Sequence, residues 1–416
     1  MKRQKVIEAA KIPEKANRHN YTTRTTCRVC DSEKVTPIFS LGNLYVSTFV
    51  KDKEDEVIRA PLELILCQDC SLLQLKHTAP QELLYTRYYW YRSGINPVIN
   101  KDLKELTQVA LKMVKLEKGD IVLDIGANDG TLLKYYPKGV IRVGCEPASN
   151  LVPELSRVTS WVIDDFWNYD AWQEMFADRK AKIITAIGMF YDMEDPNQFI
   201  RDATIALDKE GIFVAQLMCL RPMLEKNDLG NICHEHLEYY SYDSLKCLFE
   251  RNGLEIFRVE ENDINGGSYR LFARHYKQGS IDLEEKFTKK DYEDFYQRIQ
   301  ENKKECVDFI KQEVNKGKEV YVYGASTKGN TILQYYDLDN KLIKGAADKS
   351  PEKWGKYTVG TLIPIVDEAE AREKADYFLV LPWAFFNTFY ERENKWLERG
   401  GKFIVPLPRF RVVGGK

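Results

Sequence analysis

The sequence predicts an α/β protein with three domains, and three observations carry this prediction. Strand-like and helix-like segments alternate through residues 96–280, which is typical of a mostly parallel sheet with helices on both faces. A second alternating block occupies residues 281–416. Residues 21–95 hold only short strand-like pieces and two CxxC pairs, which indicate a small module that is held together by a metal.

The composition allows a sizeable core and argues against two classes of partner. A chain of 416 residues with 44% hydrophobic residues is long and apolar enough for two or three domains. Its 61 basic and 63 acidic residues give a net charge of −2. Dedicated nucleic-acid-binding and membrane-surface proteins need an excess of positive charge, so we expect neither partner.

The sequence shows no signal for export or membrane insertion. Residues 1–16 are charged and lack an apolar run, and no stretch of about 18 apolar residues suggests a transmembrane helix. The nine cysteines do not form a disulfide pattern, because four lie in CxxC pairs and five are scattered singly. These features predict a cytoplasmic protein in a reducing compartment.

The individual elements follow from apolar and β-branched runs that are bounded by turn residues. In the N-terminal block, such runs predict strands at residues 37–39 and 62–66. The charged segment 282–316 predicts a connecting helix with a solvated surface. The other expected strands are residues 121–125, 140–145, 161–163, 183–187 and 211–216, with a helix opening at residues 130–136, and then residues 319–323, 377–380 and 402–405.

Two CxxC pairs predict a structural zinc site. Cys27 and Cys30 form the first pair, and Cys67 and Cys70 form the second. Four thiolates close a tetrahedral zinc sphere and leave no position for water, so this metal would be structural. The alternatives are four unrelated thiols or a redox dithiol, and the latter needs only one CxxC pair.

A glycine-rich turn after the first central strand predicts a nucleotide-type cofactor. The strand ends in Asp124, and the following turn contains Gly126, Asn128 and Gly130. Glycines let the backbone approach a ligand closely. Glu146 ends the next strand, where ribose hydroxyls are bound in nucleotide-binding α/β folds. Further expected cofactor contacts are Asp165 and Phe166, which would bracket an adenine ring, and Met189 after the fourth strand.

The expected cofactor is S-adenosylmethionine. A nicotinamide dinucleotide site prefers GxGxxG with its third glycine in the helix, whereas this chain has Leu132 and Leu133 near that place. The loop is GxNxG where many similar loops are GxGxG, so Asn128 replaces the middle glycine. A dinucleotide site and a packing loop without cofactor are the alternatives.

Two of the five histidines flank one glutamate, in His234-Glu235-His236. This spacing differs from HExxH, which places both imidazole rings on one helical face for zinc. Histidine has an ordinary pKa near 6.5 and accepts a proton at neutral pH, and a neighbouring carboxylate can orient its ring. The segment therefore predicts an acid–base pair, and two structural histidines are the alternative.

The ordered set of motifs resembles bacterial C-methyltransferases that act on nucleotide-linked 4-keto-deoxysugars. The resemblance covers nearly the whole chain after about residue 26. Its matching segments are the CxxC pairs, residues 89–94 (YWYRSG), 122–133 (VLDIGANDGTLL), 189–196 (MFYDMEDP), the Glu-His pair at 235–236, and residues 265–270 (NGGSYR), 322–333 (VYGASTKGNTIL) and 363–365 (IPI).

The resemblance implies the architecture and the substrate class. It implies a Rossmann-like methyltransferase domain, a small N-terminal zinc-binding module and a second, C-terminal Rossmann-like domain, with boundaries at 21–95, 96–280 and 281–416. It also implies a monomer that binds a keto-sugar, linked to thymidine or guanosine diphosphate, between the last two domains.

The resemblance also implies roles for individual residues. The Glu-His pair beside the sugar C3 maps onto Glu235 and His236, so that His236, oriented by Glu235, would remove the C3 proton and form an enolate. The catalytic tyrosine corresponds to Tyr89 or Tyr91, and Ser93 of the same segment would contact the cofactor. Many relatives carry a tyrosine where this chain has Cys233.

A second glycine turn at residues 324–329 again leads from a strand into a helix. Because a helix N-terminus suits phosphate, Ser326 and Lys328 are expected to hold the diphosphate of the substrate. Arg270 and His234 are further candidates for substrate contact. A purely structural duplication of the fold is the alternative, and a second methyl-donor site is not expected, since only Asp348 could serve as its ribose clamp.

Three other functions compete with carbon methylation. An O- or N-methyltransferase would share the central domain but would not need an enolising base. A zinc-containing binding protein with a vestigial catalytic domain would not bind S-adenosylmethionine. A nucleic-acid methyltransferase is disfavoured, because the chain is neutral and lacks a basic aromatic stripe.

Overall fold

The computed structural model describes residues 21–52, 57–85 and 89–414. The expectation drawn from residues 1–16 lies outside the described residues, as do residues 53–56 and 86–88 of the expected N-terminal module. Within the described ranges, no helix combines the length and apolar character needed to cross a membrane.

An antiparallel sheet is the core of the N-terminal module. The module contains β1 (Thr22–Thr23), β2 (Val35–Tyr45), β3 (Phe49–Val50), β4 (Arg59–Cys67), β5 (Leu73–Leu75), β6 (His77–Thr78) and helix α1 (Gln81–Tyr85). Strands β2, β4 and β5 pair in that order. Strand β4 alternates between buried and more exposed residues, as expected for a strand with one face on a core.

A seven-stranded sheet forms the central domain. Its elements are α2 (Pro97–Met113), β7 (Ile121–Ile125), β8 (Ile141–Cys145), α3 (Val152–Leu155), β9 (Trp161–Ile163), α4 (Tyr169–Phe176), β10 (Ala181–Ile187), α5 (Pro196–Ala206), β11 (Leu207–Met218), α6 (Leu220–Glu225), β12 (Glu238–Tyr239), α7 (Tyr242–Arg251), β13 (Leu254–Asn262) and β14 (Ser268–His275). The strand order is β13–β14–β11–β10–β7–β8–β9, with β12 outside this sheet.

The connectivity of this sheet positions a ligand site. Strands β7 to β11 are parallel, and β14 runs antiparallel to both of its neighbours. After β9 the chain returns to the other side of β7 to form β10. The carboxyl ends of β7 and β10 therefore form a topological switch point, where open α/β sheets bind ligands.

The C-terminal domain repeats this arrangement on a smaller scale. Its elements are α8 (Lys289–Asn315), β15 (Val320–Tyr323), α9 (Thr327–Tyr335), β16 (Gly345–Asp348), β17 (Tyr357–Thr358), β18 (Ile365–Asp367), α10 (Glu368–Lys374), β19 (Tyr377–Val380), α11 (Phe386–Arg392), α12 (Asn394–Glu398), β20 (Lys402–Val405) and β21 (Arg411–Gly414). The sheet order is β18–β16–β15–β19–β20–β21, and only β21 is antiparallel to its neighbour.

The N-terminal module pairs with both α/β domains through short strands. Strand β12, which directly follows the histidine segment, pairs with β5 of the module. Strand β17 of the C-terminal domain pairs with β3. The module is thus hydrogen-bonded to the segment that carries the candidate base.

The α/β fold class is confirmed, but two expected elements differ. The expected helix at 130–136 is only a 3-10 turn at Leu133–Tyr135, because Gly130 has a φ of +78° and because Tyr136, which precedes Pro137, is extended. Helix α8 is not simply solvated: Tyr292, Phe295 and Ile299 are buried on one of its faces. The many charged residues of this segment made its narrow apolar stripe hard to recognise in the sequence.

Candidate active site

The four expected zinc ligands converge in the N-terminal module. Their Sγ atoms all lie within 4.8 Å of one another, and the Cys27–Cys70 and Cys30–Cys67 pairs are each 3.5 Å apart. Sulfurs on one tetrahedral zinc lie about 3.8 Å apart, given a Zn–S distance of about 2.3 Å. The backbone N–H of Val29 donates to Cys27 Sγ, as expected for a thiolate knuckle. The cluster fits zinc, which would crosslink β4 to the first knuckle.

A cavity of about 390 Å³ opens at the switch point of the central sheet. This volume is in the usual range for small-molecule sites. Among the expected cofactor contacts, the following line it: Gly126, Asn128, Glu146, Phe166, Met189 and Ser93.

The two glycines of the turn, Gly126 and Gly130, have different structural roles. Gly126 has a φ of +70°, and an added Cβ would lie 2.7 Å from Met189 Cγ at the cavity wall. Gly130 has a φ of +78°, and its Cβ would lie 2.3 Å from Val158 Cγ2, away from the cavity. Gly126 therefore keeps room beside the ligand, whereas Gly130 allows close packing of the loop.

Glu146 is held in the cavity by backbone donors. The N–H of Asn128 donates to Glu146 Oε2 at 2.8 Å, and the N–H of Ala148 donates to Oε1 at 2.9 Å. Burial raises the pKa of Glu146, and these two bonds oppose that rise. The carboxylate retains lone pairs for ribose hydroxyls, so the donor set fits the nucleoside part of S-adenosylmethionine.

Three expected cofactor contacts do not line the cavity: Asp124, Gly130 and Asp165. Asp124 accepts a hydrogen bond from the Thr185 hydroxyl at 2.6 Å, beneath the turn. Asp165 accepts from the N–H of Phe166 and so shapes the following turn. The side chains of Asp124 and Asp165 therefore support the loops beside the cavity.

A second cavity of about 370 Å³ lies between the central and C-terminal domains. It shares six lining residues with the cofactor cavity among those described, so the two cavities have a common wall. These residues are Tyr89, Tyr91, Ser93, Ile187, Gly188 and Asp192. Both candidate tyrosines thus lie where a methyl group would pass from one ligand to the other.

His236 faces the second cavity in a defined tautomer. Its Nδ1 lies 2.8 Å from the carbonyl oxygen of Asn231 and 2.9 Å from Asn231 Oδ1. A backbone carbonyl can only accept, so Nδ1 carries the proton and Nε2 has a free lone pair. Burial, aided by the charge of Lys328, holds the pKa of His236 well below its ordinary value. The ring is therefore a neutral base at neutral pH.

The orienting partner of His236 differs from the expected one. Asn231, rather than Glu235, holds the ring, whereas Glu235 Oε2 is buried and has no hydrogen-bond partner among the residues that the structure describes. Burial raises the pKa of Glu235. Adjacent residues in this turn point in different directions, so sequence neighbours need not be hydrogen-bonded. Glu235 itself lines the second cavity.

Two expected substrate contacts lie outside both cavities. His234 is buried, its Nε2 is 2.9 Å from the carbonyl oxygen of Ala60, and burial lowers its pKa to about 4. Arg270 donates to Asp102 Oδ1 at 2.7 Å and to Gln216 Oε1 at 2.8 Å. Neither residue lines a cavity in this structure: His234 bonds to the N-terminal module, and Arg270 holds two residues that do line the second cavity.

Ser326 and Lys328 do line the second cavity. Ser326 caps helix α9, and its Oγ accepts from the N–H of Gly329 at 3.0 Å. Lys328 is the only lysine or arginine among the described residues that line this cavity. The same wall carries four carboxyl groups, from Asp102, Asp192, Asp228 and Glu235, so Lys328 supplies its one fixed positive charge.

The acid that follows the second glycine turn is already occupied. Asp348 accepts from the N–H of Ala325 at 2.9 Å, as Glu146 does from Asn128. Lys353 Nζ lies 3.0 Å from the Asp348 carboxylate and donates to the carbonyl of Ala325. Lys353 therefore pairs with the acid that the sequence suggested as a possible ribose clamp in this domain.

Two functional candidates escaped sequence reasoning. Asn231 lies in the segment before the histidines, and its polar side chain was the one feature in the sequence that could have suggested a role. Asp192 lines both cavities, and its buried Oδ1 has no hydrogen-bond partner within the described part of the chain. Burial, and then the nearby Glu235, raise the pKa of Asp192. Its position after the carboxyl end of β10 could have indicated a site residue, but the aromatic residues beside it suggested a plain core segment.

The fold and the two joined cavities define an S-adenosylmethionine-dependent methyltransferase. Three family models match the chain in succession: a zinc binding domain at residues 27–85, a methyltransferase domain at 99–259 and a C-methyltransferase C-terminal domain at 263–408. The chain combines these three domains, and it is an S-adenosylmethionine-dependent C-methyltransferase. The predicted enzyme class and both cofactors, S-adenosylmethionine and structural zinc, are confirmed.

Relatives agree with this assignment. The C-methyltransferase NovU of Streptomyces niveus is 28% identical over 408 residues, which cover 94% of this chain and 97% of NovU. Among solved structures, the magnesium protoporphyrin IX methyltransferase of Synechocystis PCC 6803 with bound S-adenosylmethionine is 12% identical, with a TM-score of 0.32, over 42% of this chain and 79% of that chain. A methyltransferase of Clostridium acetobutylicum is 9% identical, with a TM-score of 0.34, over 42% and 92%. The assignment does not rest on these two solved structures, because their TM-scores are low.

Proposed function

We propose that the protein methylates C3 of a nucleotide-linked 4-keto-6-deoxysugar through an enolate that His236 generates, as a step in branched deoxysugar biosynthesis. The observation that carries this proposal is the free Nε2 of His236 in a cavity that shares a wall with the cofactor cavity. An oxygen or nitrogen acceptor already has a lone pair. A carbon acceptor needs a base to create one.

The proton-transfer step follows from carbonyl chemistry. The C4 ketone acidifies the C3 hydrogen, and Nε2 of His236 takes that proton. The electrons of the C3–H bond form the C3–C4 double bond, and the charge moves to the C4 oxygen. The carbonyl of Asn231 stabilises the resulting imidazolium at Nδ1, and the ammonium of Lys328 stabilises the oxyanion within the same cavity.

The shared wall brings the two reactants together. When bound, S-adenosylmethionine supplies an electrophilic sulfonium methyl group, which the enolate carbon takes to leave S-adenosylhomocysteine. Tyr89 and Tyr91 line both cavities and are the candidates for donating to the substrate oxygen. Gly188 leaves this junction free of a side chain. The protein thereby gains rate from proximity and from fixed charge.

The C-terminal domain would hold the nucleotide. Helix α9 points its N-terminus into the second cavity, where Ser326 and Thr327 are lining residues. Free N–H groups at a helix N-terminus suit a phosphate. Trp383 and Phe385 of the same domain add aromatic surface for a base. The enzyme would act as a monomer, since the described chain itself contains both cavities.

The proposal is tested by proton exchange. The protein is incubated in deuterated water with a 4-keto-6-deoxyhexose in its thymidine and its guanosine diphosphate forms, and NMR follows the C3 hydrogen. We expect exchange without the cofactor and a new carbon-bound methyl signal with it. A His236→Asn variant should lose exchange and keep S-adenosylhomocysteine binding by calorimetry.

Two outcomes would contradict the proposal. Exchange at an unchanged rate in the His236→Asn variant would remove His236 from the base role. A wild-type protein that binds S-adenosylhomocysteine but exchanges neither sugar would favour the O- or N-methyltransferase alternative.

A further inference from the structure

Asn128 has a backbone conformation that favours glycine. Its φ is +52°, in the left-handed region, and the residue is 8% exposed. Asparagine tolerates this region better than most residues, but glycine adopts it without cost. The side chain at this position is therefore expected to make contacts of its own.

The side chain of Asn128 bonds to the segment that separates the two cavities. Its Oδ1 accepts from the N–H of Ser93 at 2.9 Å, and its Nδ2 donates to the carbonyl of Tyr91 at 3.1 Å. The next residue repeats the pattern, since Asp129 Oδ2 accepts from the N–H of Gly94 at 2.7 Å. Two loop residues thus bond to Tyr91, Ser93 and Gly94, and the first two of these belong to the shared wall.

The backbone of Asn128 is bonded to the expected ribose-binding acid. Its N–H donates to Glu146 Oε2 at 2.8 Å. One residue therefore touches Glu146 with its main chain and the Tyr91–Ser93 segment with its side chain. The side chains of Tyr91 and Ser93 line both cavities.

We propose that Asn128 is a positioning residue that transmits occupancy of the cofactor cavity to the wall of the second cavity, which is called the acceptor cavity from here on. A ligand that engages Glu146 restrains the loop at Asn128, and the side chain of Asn128 then restrains Tyr91 and Ser93. The acceptor cavity is thereby completed only when the methyl donor is present. This inference requires cofactor binding alone and does not depend on which acceptor the enzyme uses.

Asn128→Gly is the clean test, because glycine keeps the backbone conformation and the N–H to Glu146 while it removes the two side-chain bonds. Hydrogen–deuterium exchange of residues 91–95 is measured with and without S-adenosylhomocysteine, and calorimetry gives its Kd. In the wild type, the ligand should slow exchange of this segment by about fivefold or more. In Asn128→Gly, this protection should largely disappear, while the Kd changes by less than about threefold.

Asn227→Gly is the matched control. Asn227 also has a φ of +52°, makes two side-chain hydrogen bonds, to Arg298 and to the carbonyl of Pro408, and lines neither cavity. It should keep the wild-type protection. Full protection of residues 91–95 in Asn128→Gly would overturn the inference. A Kd weakened in parallel with the protection would also overturn it, because Asn128 would then be a ligand contact only.

Discussion

The Nδ1 atom of His236 lies 2.8 Å from the main-chain carbonyl of Asn231, five residues earlier in the chain. This bond selects the tautomer without any acid, because the carbonyl cannot donate a proton. The candidate base thus has its lone pair on Nε2, toward the acceptor cavity. The amide of Asn231 adds a second acceptor at 2.9 Å, which makes this residue a point of control over basicity.

An Asn231→Asp substitution should move the acid limb of the pH profile. The new carboxylate would favour the charged imidazolium, so the pKa of His236 would rise by about one to three units. The neutral base would then be lost at a higher pH, and the limb would shift upward. The measurement is the rate of C3–H exchange from the lowest pH at which the protein stays folded up to pH 8.

Asn231→Ala is the control for this prediction, because it retains the backbone carbonyl and adds no charge. Its acid limb should stay close to that of the wild type. If Asn231→Asp has an unchanged profile, the titrating base is a group other than His236.

Lys328 has two possible roles that kinetics can separate. If its charge stabilises the enolate oxygen, Lys328→Met should lower the C3 exchange rate by about 10²- to 10³-fold, the usual cost of one lost oxyanion donor. If it holds the diphosphate, KM should rise with little change in kcat. We expect the first result, because the charge of Lys328 acts on both His236 and Glu235.

Exposed Lys349, in the same domain, provides the charge-matched control as Lys349→Met. It should leave both constants unchanged. Binding of S-adenosylhomocysteine should also survive in Lys328→Met, since Lys328 does not line the cofactor cavity. A kcat equal to that of the wild type would refute the oxyanion role.

Asp124 should make stability depend on pH. Burial raises its pKa from 3.8 to about 7, so the folded protein keeps its proton at a pH where the unfolded chain has lost it. Stability from this group is complete below pH 3.8 and is lost as the pH rises through about 7. Three pH units correspond to about 4 kcal/mol.

The free energy of unfolding of an Asp124→Asn variant should therefore increase relative to that of the wild type as the pH rises. The difference in the free energy of unfolding should grow by roughly 3 kcal/mol between pH 5 and pH 8, measured with urea. Surface Asp178→Asn should show no such trend. Cofactor affinity should change little, because Asp124 lies beneath the loop; equal pH dependence in both variants would exclude a buried titrating Asp124.

Arg28 lies between two zinc ligands and links the module to the active-site region. Its side chain is fully buried, donates to Thr78 at 2.7 Å and pairs with Glu194 at 3.2 Å and with Glu238 at 3.7 Å. Removing one partner of a buried ion pair leaves the other charge uncompensated. Arg28→Met should thus lower the free energy of unfolding by about 3–5 kcal/mol.

Arg24 supplies the control, because it pairs with the same Glu194 at 2.7 Å but is 24% exposed. Arg24→Met should cost at most about 1 kcal/mol. Both variants should keep their zinc, measured by metal analysis. Similar losses in the two variants would show that burial of Arg28 does not matter.

The sequence by itself determined the fold class, the zinc ligands and the loop of the cofactor. These depend on local patterns: alternating apolar segments, paired thiols at fixed spacing, and glycines at a strand-to-helix turn. Gly126, Glu146 and Phe166 line the cavity as the pattern predicts, because each follows the carboxyl end of a parallel strand, and such ends meet at one edge.

Only the tertiary structure decided which polar side chains face the cavities. Arg270 bonds to Asp102 and His234 bonds to the carbonyl of Ala60, whereas Asp192 and Lys328 reach the acceptor cavity. A buried polar group bonds to a partner that is near in space, and for Arg270 and His234 those partners are 168 and 174 residues away in the sequence. Residue type and spacing carry no information about such distant partners, so the orienting role passed from Glu235 to Asn231.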